Sequence, residues 1–188
     1  FDRERLRELS KKHCAHSGFF SSKPFLLSLS TLEGRKRHDW LFESYRLSGI
    51  DWPLVVAGKG SPADVRRLNN LVVHYGLSDR VWFVGYLENP YALIAAATAT
   101  VMTSEREGLP RALIESLMLG TPALSFDCPS GPHEILSGDL SEWLVPLGDC
   151  GAMANALHQL STNPPVIKEK HYERFLYRSV LQQFEELA

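Results

Sequence analysis

Cysteine is scarce in this 188-residue chain: Cys14, Cys128 and Cys150 are too few and too far apart for a disulfide framework or a zinc site. Their odd number suits a reducing compartment, so a cytoplasmic protein is expected. Long apolar runs are lacking as well. The longest, Ala92 to Met102, holds about eleven residues, two of them threonine, against the roughly 20 that span a bilayer. Neither sign of charge dominates: 20 Lys and Arg against 22 Asp and Glu give a net charge of −2, which is not the basic footprint of a nucleic-acid or anionic-membrane binder. There is no Asp-x-Asp pair, no internal repeat, no low-complexity tract and no visible signal peptide. Residue 1 is Phe rather than Met, and the expectation is a domain excised from a longer protein.

What remains is ordinary for a soluble globular protein: 44% hydrophobic, 22% charged and 10% aromatic residues. A chain of this size buries roughly 70% of its unfolded surface, so one sizeable core is expected. Six short apolar runs read as strands: Phe25–Ser30, Leu54–Ala57, Val81–Val84, Ala99–Thr103, Ala123–Phe126 and Trp143–Val145. Between and after them, His38–Leu47, Pro62–Tyr75, Pro90–Ala97, Pro110–Leu119, Pro132–Leu136 and Asp149–Leu160 carry helical spacing. Ser61-Pro62 supplies a helix start and Gly120 a helix end. Strict alternation of strand and helix, with a run as apolar as Leu54-Val55-Val56-Ala57, predicts a doubly wound α/β domain with a parallel sheet covered on both faces. Asp2–Lys12 and Ile167–Leu187 read as helices outside this unit. Tyr172, Phe175, Leu176 and Val180 form an apolar stripe on the second, expected to be poorly ordered here or packed on another domain or molecule.

In an open doubly wound sheet, ligands bind beyond the carboxyl ends of the strands where strand order reverses. For the order 3-2-1-4-5-6, that crevice separates the basic loop Thr31-Leu32-Glu33-Gly34-Arg35-Lys36-Arg37 from the acidic loop Ser104-Glu105-Arg106-Glu107-Gly108-Leu109-Pro110. The simpler alternative is two solvated surface loops. Gly108 permits close backbone approach, Pro110 suits a first turn, and free amides of Arg111, Ala112 and Leu113 would cradle a phosphate. Eight positions at helical rise put Glu107 and Glu115 about 12 Å apart, too far for a retaining glycosidase pair. Each carboxylate is therefore expected to grip a different part of one extended ligand. Glu115 suits a ribose diol and Glu107 the hydroxyls beyond the phosphates, the alternative for Glu115 being a solvated helix-face carboxylate. His133 reads as a loop or helix-start residue, Cys128 as a buried strand-end thiol and His158 as a surface residue. Trp40, Trp52, Trp82 and Trp143 read as packing.

Glu107-Gly108-Leu109-Pro110-Arg111-Ala112-Leu113-Ile114-Glu115 resembles the E-x7-E signature of the family-four (group 1) retaining glycosyltransferases. Other segments match in order. Lys36-Arg37-His38-Asp39-Trp40-Leu41 is similar to the family's lysine loop and Val55-Val56-Ala57-Gly58-Lys59-Gly60 to its glycine turn. Asp79-Arg80-Val81-Trp82-Phe83-Val84-Gly85, Gly120-Thr121-Pro122 and the segment Asp127 to Leu136 follow. The resemblance covers about residues 24–160. It implies the donor-binding, Rossmann-like half of a GT-B fold, with 1–23 as linker and N-terminal helix, 24–163 as the domain and 164–188 as a crossover helix. The acceptor-binding N-terminal domain would be absent.

Carried over by this resemblance, Lys36 would neutralise the donor diphosphate and serve catalysis together with Glu107. Glu107, Gly108, Leu109, Pro110, Arg111, Ala112 and Leu113 would line the donor, Glu115 would hold the ribose, and main chain at Trp82, Phe83, Gly85 and Tyr86 would meet the base. The family's second diphosphate clamp, an arginine, falls in register on Thr31, leaving Arg35 or Arg37 to reach the phosphates; Lys59 stands where Asp is common in the glycine turn. The implied function is transfer of a hexosyl group from a nucleoside-diphosphate sugar, in bacterial cell-surface polysaccharide or lipopolysaccharide synthesis. No cofactor or metal is implied. The partners would be the donor, the missing domain and a lipid-linked saccharide acceptor, with peripheral placement at the inner membrane through that domain. A GT-B epimerase or phosphorylase and a non-catalytic α/β binding module are the alternatives.

Overall fold

The computed structural model describes residues 1–12 and 23–185. Cys14 and the end of the expected C-terminal helix at Leu187 lie outside them. Helix α1 (Arg3–Ser10) is followed by β1 (Leu26–Leu29), α2 (His38–Ser48), β2 (Leu54–Ala57), α3 (Pro62–His74) and β3 (Val81–Gly85). The series continues with α4 (Tyr91–Ala96), β4 (Ala99–Met102), α5 (Arg111–Leu119), β5 (Ala123–Asp127), α6 (Pro132–Ile135), β6 (Leu144–Pro146), α7 (Cys150–Thr162) and α8 (Tyr177–Glu185).

The six strands form one sheet in the order β3-β2-β1-β4-β5-β6, every neighbouring pair parallel. This is the Rossmann-like architecture that the alternation predicts. Successive side chains of a strand point to opposite faces, and both faces are buried. Leu26, Leu54 and Val56 enter the larger core, while Leu27, Val55 and Ala57 enter a second one completed by Leu93, Ile94 and Ala97 of the α4 segment. A strand buried on both sides must be apolar at every position, which is why these runs do not alternate.

Local signals set the helix ends. Ser61 and Asp64 form a reciprocal capping box at α3, Asp149 accepts from the Ala152 amide at α7, and Gly120 closes α5 in the left-handed region. Boundaries shift slightly from expectation: Pro110 lies just outside α5, and Trp143 ends a 3-10 turn (Gly138–Trp143) before β6.

The C-terminal expectation needs correction. Two 3-10 turns, Glu169–His171 and Glu173–Phe175, precede α8, so one helix does not span the segment. Nor is its apolar stripe unpartnered. Tyr172 and Leu176 are 1% and 6% exposed and pack into this domain's own core, with Phe175 partly buried against it. The turns aim Tyr172 and Leu176 inward, a gain in burial that a straight exposed helix would forgo.

Candidate functional site

Because all strands run the same way, the loops after β1 and β4 leave the sheet side by side at its carboxyl edge. They are joined directly. The Thr103 hydroxyl lies 3.0 and 3.1 Å from the carbonyl oxygens of Lys36 and Arg37, and the Glu105 amide donates to the Arg35 carbonyl at 3.0 Å. Across this seam Lys36 Nζ donates to Glu107 Oε1 at 2.5 Å, with both side chains 11% exposed. This is a short charge-assisted contact in a shielded crevice.

The three basic residues of the first loop separate in role. Arg35 lies at the lip, with Nε 2.9 Å from Glu33 Oε2 and Nη1 3.9 Å from Glu107 Oε2. Arg37 turns away: it chelates Asp39 at 2.6 to 3.2 Å, sits 3.7 Å from Glu105 and stacks 3.5 Å from the Trp40 ring centroid. The Arg37 backbone adopts φ +48°, linking the turn Gly34–Lys36 to α2, and those contacts hold it there. Burial would raise the Asp39 carboxyl, but hydrogen bonds and charge from Arg37 outweigh it and keep Asp39 below the usual range. Thr31 is exposed just past the end of β1, and its short side chain supplies no cation there.

Beneath this loop His38 is 1% exposed. Its Nε2 lies 3.4 Å from Ser30 Oγ, which donates to the Thr31 carbonyl, and its Nδ1 has no partner. Burial, reinforced by Arg67, pushes the imidazole down to about 4, so it is neutral near pH 7. Gly58 supports the loop from the other side: a Cβ there would fall 1.6 Å from the Ser30 carbonyl oxygen, so only glycine fits.

The second loop is backed by Gly131, which has φ +50° and whose Cβ would lie 1.9 Å from the Gly108 carbonyl oxygen. The close approach expected of Gly108 therefore belongs to Gly131; Gly108 itself has open space where a Cβ would stand. Leu109 is 47% exposed and Pro110 is buried as the loop enters α5. No side chain caps α5. One of the three expected free amides is engaged, since Leu113 donates to the Pro110 carbonyl at 3.1 Å, leaving Arg111 and Ala112 at the helix mouth.

Glu115 is not a solvated helix-face carboxylate. It is 6% exposed, 3.2 Å from Arg111 Nη2 and 3.4 Å from the Tyr91 hydroxyl. Burial raises its affinity for a proton, opposed by Arg111 and Tyr91. The two carboxylates thus have separate partners.

The candidate base-binding residues divide along β3. Gly85 ends the strand and Tyr86 follows at 71% exposure, both at the carboxyl edge beside the glycine turn, where the Gly58 amide donates to the Gly85 carbonyl. Trp82 lies three residues back, about 10 Å from that edge at strand rise. Phe83 packs edge-on against Phe42. Trp82 and Phe83 thus lie back along β3 from the carboxyl edge at which Gly85 and Tyr86 stand. Sequence reasoning missed Tyr91, Thr103 and the supporting role of Gly131; the Ser130-Gly131-Pro132 turn signal was the one available hint.

Cys128 is buried, its thiol pushed up to about 11 by burial and by the charge of Glu107, and is no nucleophile in that state. Among the described residues no group of three His, Cys, Asp or Glu side chains could hold a metal, and no helix is long and apolar enough to cross a membrane. A cavity of about 630 Å³ lies elsewhere, between Phe1, Arg3, Leu176 and Tyr177.

The sequence pattern of the group 1 glycosyl transferases matches residues 10–179. The chain belongs to that family. The lipopolysaccharide 1,6-galactosyltransferase of Escherichia coli K12 is 31% identical over 131 residues, covering 68% of this chain and 36% of that protein. The N-acetylgalactosamine-N,N'-diacetylbacillosaminyl-diphospho-undecaprenol 4-alpha-N-acetylgalactosaminyltransferase of Campylobacter jejuni is 30% identical over 133 residues, covering 71% of this chain and 36% of that one. The chain thus spans about a third of the length of these relatives. Anabaena HepE, solved with UDP, superposes with a TM-score of 0.83 at 20% identity over 100% of this chain and 55% of its own. The lipopolysaccharide outer core galactosyltransferase WaaB superposes at 0.76 with 25% identity, over 87% and 48%. The fold is accordingly that of the C-terminal domain of a GT-B glycosyltransferase.

Proposed function

We propose that this group 1 glycosyltransferase domain binds a nucleoside-diphosphate sugar in the crevice between the β1 and β4 loops and, within the complete protein, transfers the hexosyl group with retention of configuration. The observation that carries the reading is the largely shielded meeting of Lys36 and Glu107 beside the uncapped start of α5. Lys36 and the Arg111 and Ala112 amides face the diphosphate, Glu107 takes sugar hydroxyls, and Glu115 takes the ribose diol. Of the two arginines that could reach the phosphates, Arg35 is the second cation in reach, in place of the arginine absent at Thr31, because Arg37 is held by Asp39. Gly85 and Tyr86 border the base. The phosphate charge is met without a metal. These groups stabilise charge on the departing diphosphate and hold the donor in register.

The names of the Escherichia coli and Campylobacter jejuni relatives support an acceptor in lipopolysaccharide or lipid-linked saccharide assembly. UDP in HepE supports a nucleotide donor. Titration of the chain with UDP-, GDP- and ADP-sugars tests the reading: one class should bind, and Lys36→Met should weaken it roughly 10-fold or more, the worth of a hydrogen bond to a charged group. Binding of no nucleotide sugar would refute it. One wall of a cleft cannot hold donor and acceptor together while excluding water, so the 188 residues alone should show no transfer.

A further inference from the structure

We propose that the Lys36–Glu107 pair makes the site hold an intact nucleoside-diphosphate sugar in preference to the free nucleoside diphosphate, and so favours release of the diphosphate once the sugar has left. This rests on the donor-binding reading above.

Without donor, the ammonium and the carboxylate neutralise each other at 2.5 Å, each 11% exposed. The bonds from Thr103 and Glu105 to the Lys36 loop keep the two strand-end loops together, so neither charge can drift into solvent by separation of the loops. A diphosphate arriving at the start of α5 draws Lys36 to itself. Glu107 is then a nearly buried carboxylate whose partner has been diverted, beside a new anion. That state is unfavourable, because removing one member of a shielded ion pair leaves the other uncompensated. The next cation, Arg35, stands 3.9 Å away, beyond hydrogen-bond range, and already serves Glu33 at 2.9 Å.

An intact donor resolves the conflict. Its diphosphate engages Lys36 while its sugar hydroxyls donate to Glu107, so both shielded charges remain paired. When the sugar leaves, Glu107 loses those donors and competes for Lys36 again, loosening the diphosphate. Glu107 therefore acts on the two ligands with opposite signs: it strengthens binding of the donor and weakens binding of the product.

The test compares the 188-residue chain with Glu107→Gln, which keeps the shape and removes the charge. Each is titrated by calorimetry with UDP and UDP-glucose, GDP and GDP-mannose, and ADP and ADP-glucose, after thermal melts confirm folding. For the nucleotide that the wild type binds, Glu107→Gln should hold the free diphosphate roughly 10-fold more tightly and the nucleotide sugar roughly 10-fold more weakly. In a Lys36→Met background the tightening should shrink to about twofold or less, because the pair no longer exists to be broken. An unchanged or weakened affinity for the free diphosphate in Glu107→Gln overturns the proposal. So does tightening that persists undiminished without Lys36, which would mean simple charge repulsion. If the wild type binds none of the six ligands, the donor-binding reading itself fails and this inference falls with it.

Discussion

Protonation of His38 should destabilise the domain in a defined pH window. The imidazole is 1% exposed and its Nδ1 has no partner. Burial, followed by the positive charge of Arg67, lowers it from 6.5 to about 4, with Lys36 adding to the fall and Asp39 and Asp64 opposing it. A depressed folded-state value means that the fold favours the neutral form. Above pH 6.5 both folded and unfolded chains carry neutral His38 and its contribution is constant. As pH falls from 6.5 towards 4, the unfolded chain takes up a proton that the folded chain refuses, so stability drops. At about 1.4 kcal/mol per pH unit the loss approaches about 3 kcal/mol at pH 4 and then levels off. Urea unfolding of wild type and His38→Gln between pH 4.5 and 8 isolates this contribution, because the titrating carboxylates are common to both. The wild-type curve should fall more steeply below pH 6.5, by about one proton's worth of slope. Parallel curves across that range would refute the argument that burial keeps His38 neutral.

Three further outcomes follow from the geometry. Glu115→Ala should weaken nucleotide-sugar binding by roughly 10- to 150-fold, since it removes a shielded carboxylate proposed to bind the ribose; calorimetry on the folded variant checks it. Gly131→Ala should displace the Gly108–Pro110 loop, because the added Cβ would meet the Gly108 carbonyl oxygen at 1.9 Å from a backbone at φ +50°; both thermal stability and donor affinity should fall, and wild-type values for both would show that the loop yields freely. Tyr172→Ala should cost about 3–5 kcal/mol in urea unfolding, as for other large buried aromatics; a change below about 0.5 kcal/mol would mean that the C-terminal turns do not belong to this core.

The sheet was legible because its signals are local. Four consecutive apolar residues at Leu54–Ala57, bounded by Pro53 and Gly58, leave little alternative to a strand buried on both faces. That the β1 and β4 loops lie side by side was legible for the same reason, since strand order sets their places. What happens inside it was not. Lys36 and Glu107 are 71 residues apart, and their contact depends on Thr103 and Glu105 drawing two loops together. Nothing in Glu115-Ser116-Leu117 announces that the carboxylate is buried, because its helix also carries Leu113 and Leu117 inward and Tyr91 arrives from another element. The C-terminal segment misled because Tyr172 and Leu176 have the four-residue spacing of a helix face. Two 3-10 turns deliver the same residues to the core by a different path.

The proposed donor site lies between the β1 and β4 loops. A structure of the domain with the nucleotide sugar that it binds tests this most directly. The diphosphate should lie against Lys36 and the Arg111 and Ala112 amides, the sugar at Glu107 and the ribose at Glu115. A ligand seated instead in the cavity lined by Phe1, Arg3, Leu176 and Tyr177, with the Lys36–Glu107 pair undisturbed, would contradict it.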